Sequence, residues 1–232
     1  FVILSVNVFA SSPSTWAQVQ QTPSPLLFVA AHQPTVGPMR KASVLTFTNQ
    51  TATAKLTFTH TTFAKLEPDL MISGAAVGDF NNDGWGDLFV LGGGVTPDAL
   101  FINQGNGAFT EEGATWGLAV QQRGAGAAVG DYNHDGWLDI FVTSHGITET
   151  AAVGHHRLYR NNQNGTFTNV ATAAGVNRST RTVPDGFGAT FGDYDLDGDL
   201  DLFVAGWQAG AEGNRLFRNN SNGAFTDVTE SA

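Results

Sequence analysis

Apolar residues in this chain form short runs that recur in one context. Each run follows a segment of small residues and an acidic loop, and none alternates with polar residues. The three runs are Leu88–Leu91, Ile140–Val142 and Leu202–Val204. Short continuous apolar runs predict β-strands that are covered on both faces.

Two further segments follow each apolar run. A Leu-aromatic segment ends in Asn, and an Asn-Gly pair then leads into Phe-Thr; the three copies are Leu100–Thr110, Leu158–Thr168 and Leu216–Thr226. Asn-Gly between apolar segments predicts a β-hairpin, because both residues tolerate positive φ. The third and fourth segments of each period are therefore predicted to pair.

The complete period predicts a four-stranded antiparallel meander, in which the acidic loop joins the first two strands. Meanders that pack side by side around an axis form a β-propeller. The predicted fold is all-β, a partial β-propeller with three clear blades and an additional strand region before them. We expect blades at about residues 74–113, 126–171 and 187–229, with small residues at the crowded centre. Val44–Thr48 is expected to be an outer strand of another blade, and Ala52–Thr62 a half-exposed strand.

The acidic loops share the pattern Asp-x-[Asp/Asn]-x-Asp-Gly-x-x-Asp, at Asp79–Asp87, Asp131–Asp139 and Asp193–Asp201. Oxygens at positions 1, 3 and 5, a backbone carbonyl at position 7 and a carboxylate at position 9 can converge on one hard cation. Glycine at position 6 permits the sharp turn that aims them. The alternative is an Asp-rich and Asn-rich turn that binds nothing; it leaves the clustered like charges unexplained.

The amino-acid composition supports an all-β protein and argues against two classes of binding partner. The 232 residues include 28 Gly, and only 14% are charged. The net charge of −10 argues against nucleic acid and anionic membranes as partners. Eleven of the 21 acidic residues lie in the three loops, so much of the acidity belongs to the candidate metal sites. Cysteine is absent, which excludes disulfides and thiolate metal sites.

The N-terminal region predicts export. Phe1–Ala10 is a short apolar run followed by Ser and Pro, and we interpret residues 1–17 as the remnant of a signal peptide. A buried strand is the alternative, and the run is too short to span a bilayer as a helix. Residues 18–43 are rich in Gln, Pro, Ser and Thr and are predicted to be a linker, and residues 44–232 the propeller segment. Secretion, or a periplasmic or cell-surface location, suits calcium loops of modest affinity.

These motifs resemble the FG-GAP/VCBS repeat family. The order Gly-Asp-Tyr-Asp-x-Asp-Gly-Asp-x-Asp-Leu, then Leu-Phe/Tyr-Arg-Asn-Asn, then Asn-Gly-x-Phe-Thr is most similar to its cartilage-acidic-protein branch, and integrin α-chain propellers share the loop more distantly. The resemblance covers about residues 44–229. It implies a secreted β-propeller that binds one calcium ion per loop, about three in this chain, and that serves in adhesion and binding.

The resemblance also implies the metal ligands by position. Side-chain ligands would come from positions 1, 3, 5 and 9, and backbone carbonyls from position 7. Because the first two loops carry Asn at position 3, the third loop is expected to bind most tightly. The implied ligands are Asp79, Asn81, Asp83, Trp85 and Asp87; Asp131, Asn133, Asp135, Trp137 and Asp139; and Asp193, Asp195, Asp197, Asp199 and Asp201.

Other candidate residues give weaker signals. Trp85, Trp137 and Trp207 can be interpreted as a stacking platform for a glycan, or as side chains that pack between loops. His145, His155 and His156 can be interpreted as a transition-metal site, although a solvated loop is the favoured interpretation. No nucleophile, P-loop or zinc-protease pattern occurs, so we predict that the chain is not an enzyme.

The predicted function is that of a calcium-binding extracellular adhesion or ligand-binding module for a protein or glycan. One alternative is the N-terminal part of a propeller enzyme, of polysaccharide-lyase or quinoprotein type, with catalytic residues outside this chain. Another is a structural repeat that displays a second domain. A propeller usually has about four to eight blades, so three blades suggest a longer protein. We also expect that open edges permit self-association, and that the chain does not insert into membranes.

Overall fold

A computed structural model describes residues 47–62, 72–144, 155–177, 186–206 and 214–232. All of these except Phe47 belong to one unit, Thr48–Ala232. Regular structure in these ranges consists of twelve β-strands, and none of the described residues forms a membrane-spanning helix. The expected signal-peptide remnant and linker lie outside the described residues, as does most of Val44–Thr48.

The strands form three antiparallel four-stranded sheets, each a simple meander in chain order. Blade 1 contains β1 (Ala75–Gly78), β2 (Asp87–Val90), β3 (Ala99–Asn103) and β4 (Phe109–Glu111). Blade 2 contains β5 (Gly124–Gly130), β6 (Asp139–Ser144), β7 (Arg157–Asn161) and β8 (Phe167–Asn169). Blade 3 contains β9 (Gly186–Gly192), β10 (Asp201–Gly206), β11 (Arg215–Asn219) and β12 (Phe225–Asp227). The predicted all-β arrangement of three propeller-like blades is confirmed.

The first strands of the blades lie beside one another. β5 contacts β1 on one side and β9 on the other. A Cβ atom at Gly126 of β5 would lie 2.6 Å from the carbonyl oxygen of Phe187 in β9, and one at Gly74 would lie 3.3 Å from that of Ala125. This close approach of backbones explains why each repeat begins with small residues.

The core lies between consecutive blades. We call the blade surface directed at the following blade its forward face and the opposite surface its rear face. The forward face of blade 1, with Phe89 and Leu100, packs on the rear face of blade 2, with Ile140, Val142 and Tyr159. Burial of each such side chain stabilises the fold by about 1.5–3 kcal/mol.

The second junction repeats the first. The forward face of blade 2, with Phe141 and Leu158, packs on the rear face of blade 3, with Leu202, Val204 and Phe217. Every residue of β6 is buried, because this strand contributes to both junctions. The expectation that the second strand is covered on both faces is therefore confirmed for the central blade.

The predicted hairpins form, but their turns differ from the expectation. Each loop has five residues, and the Asn of Asn-Gly does not adopt positive φ; positive φ falls on Gly107 (85°) and on the residue before Asn, such as Gln163 (63°). The Asn106 side-chain oxygen instead accepts the N–H of Ala108 at 3.0 Å. This side-chain bond replaces the tight two-residue turn.

The expected strand at Ala52–Thr62 is wrong. Residues 51–55 form a turn, in which Ala54 N–H donates to the Gln50 carbonyl oxygen at 2.8 Å. Trp116 N–H and Ala174 N–H make the same bond to Glu112 and Val170. The first part of the alternating stretch thus belongs to a turn of the type that follows β4 and β8, in which backbone bonds within the turn replace those of a sheet. At its end, Thr62 forms an isolated antiparallel bridge with Gly94.

Candidate metal centres

The three acidic loops connect the first and second strands of each blade and lie next to one another. The side-chain amide of Asn82 in the first loop donates to the Gly136 carbonyl oxygen of the second at 3.1 Å. His134 Nε2 in the second loop lies 3.5 Å from Asp199 Oδ1 in the third. The folded blades therefore bring all three predicted sites to one edge of the array.

Position 1 closes each loop on itself. Asp79 Oδ1 accepts the N–H of Asp83 at 3.0 Å, and its Oδ2 accepts the N–H of Gly84 at 2.8 Å. Asp131 and Asp193 bind the corresponding amides of their own loops. Glycine is required at position 6, where φ is 91°, 83° and 98° in the three loops. All three candidate sites therefore have the same backbone conformation.

Position 3 distinguishes the third loop from the others. In the first, the Asn81 amide group donates to Asp83 Oδ2 at 2.9 Å, and Asn133 donates to Asp135 in the same way. The third loop has Asp195 instead, and ligand oxygens of Asp193, Asp195 and Asp197 all lie within 4.8 Å of one another. Like charges about 4 Å apart repel by about 1 kcal/mol per pair even in water. The third loop therefore concentrates the most uncompensated negative charge.

Position 9 connects each loop to the interior of its blade. Asp87 Oδ1 accepts the N–H of Asn103 at 2.8 Å, and Oδ2 accepts that of Phe80 at 2.9 Å. Asp139 and Asp201 repeat both bonds, and all three carboxylates are buried. Burial raises the pKa of Asp87, and repulsion by Asp83 and Asp79 adds to the rise. Burial likewise raises the pKa of Asp139 to about 7.

These aspartates have a structural role that the sequence pattern did not reveal. They were predicted only as metal ligands, yet each also fixes the end of the third strand of its blade. The available signal was the Asn that ends each third strand, at Asn103, Asn161 and Asn219.

That Asn links neighbouring blades. Asn161 Nδ2 donates to the Phe80 carbonyl oxygen of blade 1 at 2.9 Å and to the Leu138 carbonyl oxygen of its own loop at 3.3 Å. Asn219 makes the equivalent bonds to Tyr132 at 2.8 Å and Leu200 at 3.1 Å. The first and second acidic loops are therefore each hydrogen-bonded to the blade that follows them.

The donor set is suited to a hard cation. Carboxylate, amide and backbone carbonyl oxygens are the ligands that Ca²⁺ takes in proteins, and it accepts six to eight of them. All three loops contain residues that carry such oxygens, and the third holds the carboxylates of Asp193, Asp195 and Asp197 within range of a single ion. The residues present therefore fit a divalent cation of this class.

The tryptophans that were considered as a stacking platform differ in their exposure to solvent. The Trp85 side chain is 52% exposed, and a Cβ atom at Gly105 would lie 2.8 Å from its Nε1, so the indole covers the hairpin turn of its own blade. Trp137 is partly exposed, and Trp207 lies outside the described residues. Trp85 thus remains accessible to a ligand on one side.

The histidines do not form one group in the described part of the chain. His156 is buried, and its Nδ1 accepts the Ser144 N–H at 3.1 Å. Its ring meets that of Phe141 at a centroid distance of 5.6 Å. The solvated loop expected for His156 is therefore wrong, because the side chain is part of the blade 2 interior. His155 is exposed, and His145 lies outside the described residues.

Comparison with known proteins gives matches across most of the described region. A family model for the FG-GAP-like repeat matches residues 79–142, 146–204 and 193–232. Cartilage acidic protein 1 of Xenopus tropicalis is 32% identical over 151 residues, which cover 62% of this chain and 21% of that protein. Cartilage acidic protein 1 of Mus musculus is 32% identical over 140 residues, or 57% of this chain and 20% of that protein. The matched region thus spans about a fifth of the length of these relatives.

Proposed function

Because this chain belongs to the FG-GAP-like repeat family, we propose that it is a calcium-binding, extracellular propeller module that acts by binding a ligand and not by catalysis. The observation that carries the proposal is the third acidic loop. Three of its carboxylates, from Asp193, Asp195 and Asp197, lie close enough together to share one ion.

Each loop would hold its ion through the same five positions. Side-chain oxygens of positions 1, 3, 5 and 9 and the carbonyl oxygen of position 7 would be the ligands. When bound, the ion supplies a positive charge that offsets the repulsion among the carboxylates. The residues concerned are Asp79, Asn81, Asp83, Trp85 and Asp87; Asp131, Asn133, Asp135, Trp137 and Asp139; and Asp193, Asp195, Asp197, Asp199 and Asp201.

The chain's own contacts explain how occupied loops would stabilise the array. Position 9 binds the third strand of its own blade, and the Asn at the end of that strand binds the preceding loop. A loop held in one conformation therefore fixes both the strand beneath it and the next blade. Binding to the native state alone stabilises it in proportion to the logarithm of ligand concentration.

Calcium is a better candidate than magnesium for these loops. Magnesium requires a near-ideal octahedron and gives up its water reluctantly, whereas calcium accepts irregular oxygen sets. An extracellular location suits such a site, since extracellular calcium modules work at about 0.1–1 mM. The name of the relatives, cartilage acidic protein, supports the same location.

A protein or glycan ligand is proposed for the exposed loop edge. The half-exposed indole of Trp85 supports this assignment, since aromatic faces stack well on sugar rings and on apolar side chains. A second feature is the open polar groove between blades 2 and 3, which His134, Arg160 and Ser221 line. The net charge of −10 disfavours nucleic acid as the ligand.

Calorimetric titration of the calcium-stripped chain tests the metal assignment. We expect CaCl₂ to bind at about one ion per loop and to raise the melting temperature, and MgCl₂ to restore it poorly. Asp197→Ala should remove one site and leave the others. Glu230→Gln is a matched control, because Glu230 is an exposed acid outside the loops. Equal stoichiometry in Asp197→Ala and the unmodified chain would contradict the assignment.

A further inference from the structure

Buried hydrogen bonds connect the first acidic loop to the second. At position 9 of the first loop, Asp87 Oδ2 accepts the Phe80 N–H at 2.9 Å. The Phe80 carbonyl oxygen accepts the side-chain amide of Asn161 at 2.9 Å, and the Asn161 backbone N–H donates to Asp139 Oδ1 at 2.8 Å. Asp139 is position 9 of the second loop. Only two residues therefore separate the position 9 carboxylates of these loops.

The same connection leads from the second loop to the third. Asp139 Oδ2 accepts the Tyr132 N–H at 3.3 Å, and the Tyr132 carbonyl oxygen accepts the side-chain amide of Asn219 at 2.8 Å. The backbone N–H of Asn219 donates at 2.8 Å to Oδ1 of Asp201, which is position 9 of the third loop. Asp139 thus belongs to both connections, because each uses a different one of its carboxylate oxygens.

The residues of both connections, which we call the position 9 network, are shielded from solvent. Each has an exposed fraction of 3% or less: Asp87, Phe80, Asn161, Asp139, Tyr132, Asn219 and Asp201. A group displaced from this network is left without water to bind, so its displacement is costly. An ionised carboxylate offers about four acceptor sites. Position 9 can therefore keep its two N–H partners and also contact an ion.

We propose that the position 9 network couples the three metal sites, so that calcium bound in one loop raises the calcium affinity of the neighbouring loop. The inference rests on the calcium binding proposed above. When Asp201 is held as a ligand, Asn219 holds the Tyr132 carbonyl oxygen, and the second loop has fewer conformations left to lose. The next ion then binds at a smaller entropic cost, which is positive cooperativity.

Coulomb repulsion between bound ions opposes this coupling, and a substitution at Asn219 separates the two effects. Repulsion depends on the charges and the distance between them, and Asn219→Ala changes no charge. The substitution deletes the amide bonds to the carbonyl oxygens of Tyr132 and Leu200. The backbone N–H of residue 219, which bonds Asp201, remains. Asn219→Ala therefore removes only the side-chain link between the second and third loops.

Calcium titrations followed by NMR test the proposal. The amide of Gly136, position 6 of the second loop, reports on that loop alone, because its N–H bonds Asp131 Oδ2 at 2.8 Å. The calcium affinity of the second loop is measured with and without Asp197→Ala, which removes the third site. We expect this removal to lower the affinity roughly fivefold or more. In Asn219→Ala, the same removal should no longer lower it.

Further variants make the result specific to the link. Asn103→Ala is the matched control, because Asn103 bonds Gly86 and Gly105 within blade 1 and no other loop in the described residues. It should preserve the decrease in affinity caused by Asp197→Ala. Asn161→Ala cuts the connection between the first two loops and should preserve the decrease as well. Asn219→Ser, which keeps a short polar side chain without the amide, replaces Asn219→Ala if that variant does not fold.

Three results would overturn the coupling while calcium binding itself stands. One is an equal decrease in affinity in Asn219→Ala and the unmodified chain, and another is no decrease in the unmodified chain. The third is loss of the decrease in Asn103→Ala as well, because it would assign the effect to general destabilisation. A chain whose loops bind no calcium would overturn the proposed function together with the coupling. The Gly136 resonance distinguishes these failures, since it reports directly whether the second loop fills.

Discussion

The side-chain amide of Asn161 in blade 2 donates a hydrogen bond of 2.9 Å to the carbonyl oxygen of Phe80 in the acidic loop of blade 1. Asn161 Oδ1 also accepts the N–H of Gln163, and its backbone N–H binds Asp139. One buried residue thus joins the loop of one blade to the loop and hairpin of the next. Asn219 repeats the arrangement with Tyr132.

Replacement of Asn161 tests this link. Asn161→Ala leaves the buried Phe80 carbonyl oxygen without its donor, and we expect the free energy of unfolding to fall by about 1–3 kcal/mol. Urea unfolding measures the loss. Asn103→Ala is the matched control, because Asn103 bonds Gly86 and Gly105 within its own blade and makes no bond to another blade in the described residues. Equal losses in the two variants would show that the link between blades contributes nothing.

Position 3 should set the affinity of each metal loop. Asp195→Asn gives the third loop the pattern of the other two, and Asn133→Asp gives the second loop the pattern of the third. We expect calcium affinity to fall in the first variant and rise in the second, each by roughly tenfold, or about 1.4 kcal/mol. Calorimetry of single variants measures both changes. A change of the same sign in both variants would contradict a role for charge at this position.

The buried Asp98 predicts a pH dependence that does not involve the metal loops. Its carboxylate accepts the Gly92 N–H at 2.8 Å and binds the side chain of Gln122. Burial raises its pKa from 3.8 to about 7, partly offset by the Gly92 and Gln122 hydrogen bonds and by the charge of Arg157. The folded chain therefore holds a proton that the unfolded chain has lost between these values.

Stability contributed by Asp98 should accordingly be present at low pH and be lost as pH rises toward 7. The slope is at most about 1.4 kcal/mol per pH unit. Urea unfolding in chelator, at intervals between pH 5 and pH 8, measures it. In Asp98→Asn this slope should become smaller, since the amide does not titrate; an unchanged slope would show that Asp98 is not its source.

The centre of the array should not tolerate a side chain at Gly126. Gly126→Ala places a Cβ atom 2.6 Å from the Phe187 carbonyl oxygen, so the first strands of blades 2 and 3 must separate. We expect a loss of about 1–3 kcal/mol. Gly192→Ala is the control, because a Cβ atom there meets no atom within 4 Å. Thermal unfolding compares the two variants, and similar melting temperatures would argue against close packing at the centre.

Much of the fold could be predicted from periodicity. The continuous apolar run of Ile140–Val142 and the Asn-Gly hairpin signals identified the meanders, and the resemblance to FG-GAP-like repeats of the cartilage-acidic-protein branch is confirmed. These features are local motifs that recur in each repeat, so they can be recognised directly in the sequence. The acidic loop between the first two strands of each blade was predictable for the same reason.

Contacts between distant residues were not predictable. The bond from Asn161 to Phe80 joins positions far apart in the sequence, and Asn is also a common turn residue. The alternation at Ala52–Thr62 resembles a strand because Thr, which is common in strands, alternates there with apolar residues. His156 lies in a polar sequence, and its burial comes from contacts with Phe141, Ser144 and Gly186, which are not adjacent to it in the sequence.

A crystal structure of the chain grown with calcium tests the central claim most directly. We predict anomalous or difference density in all three loops, with oxygens of Asp193, Asp195 and Asp197 about 2.3–2.6 Å from one ion in the third. Loops without density at saturating calcium, with these carboxylates turned out into solvent, would contradict it.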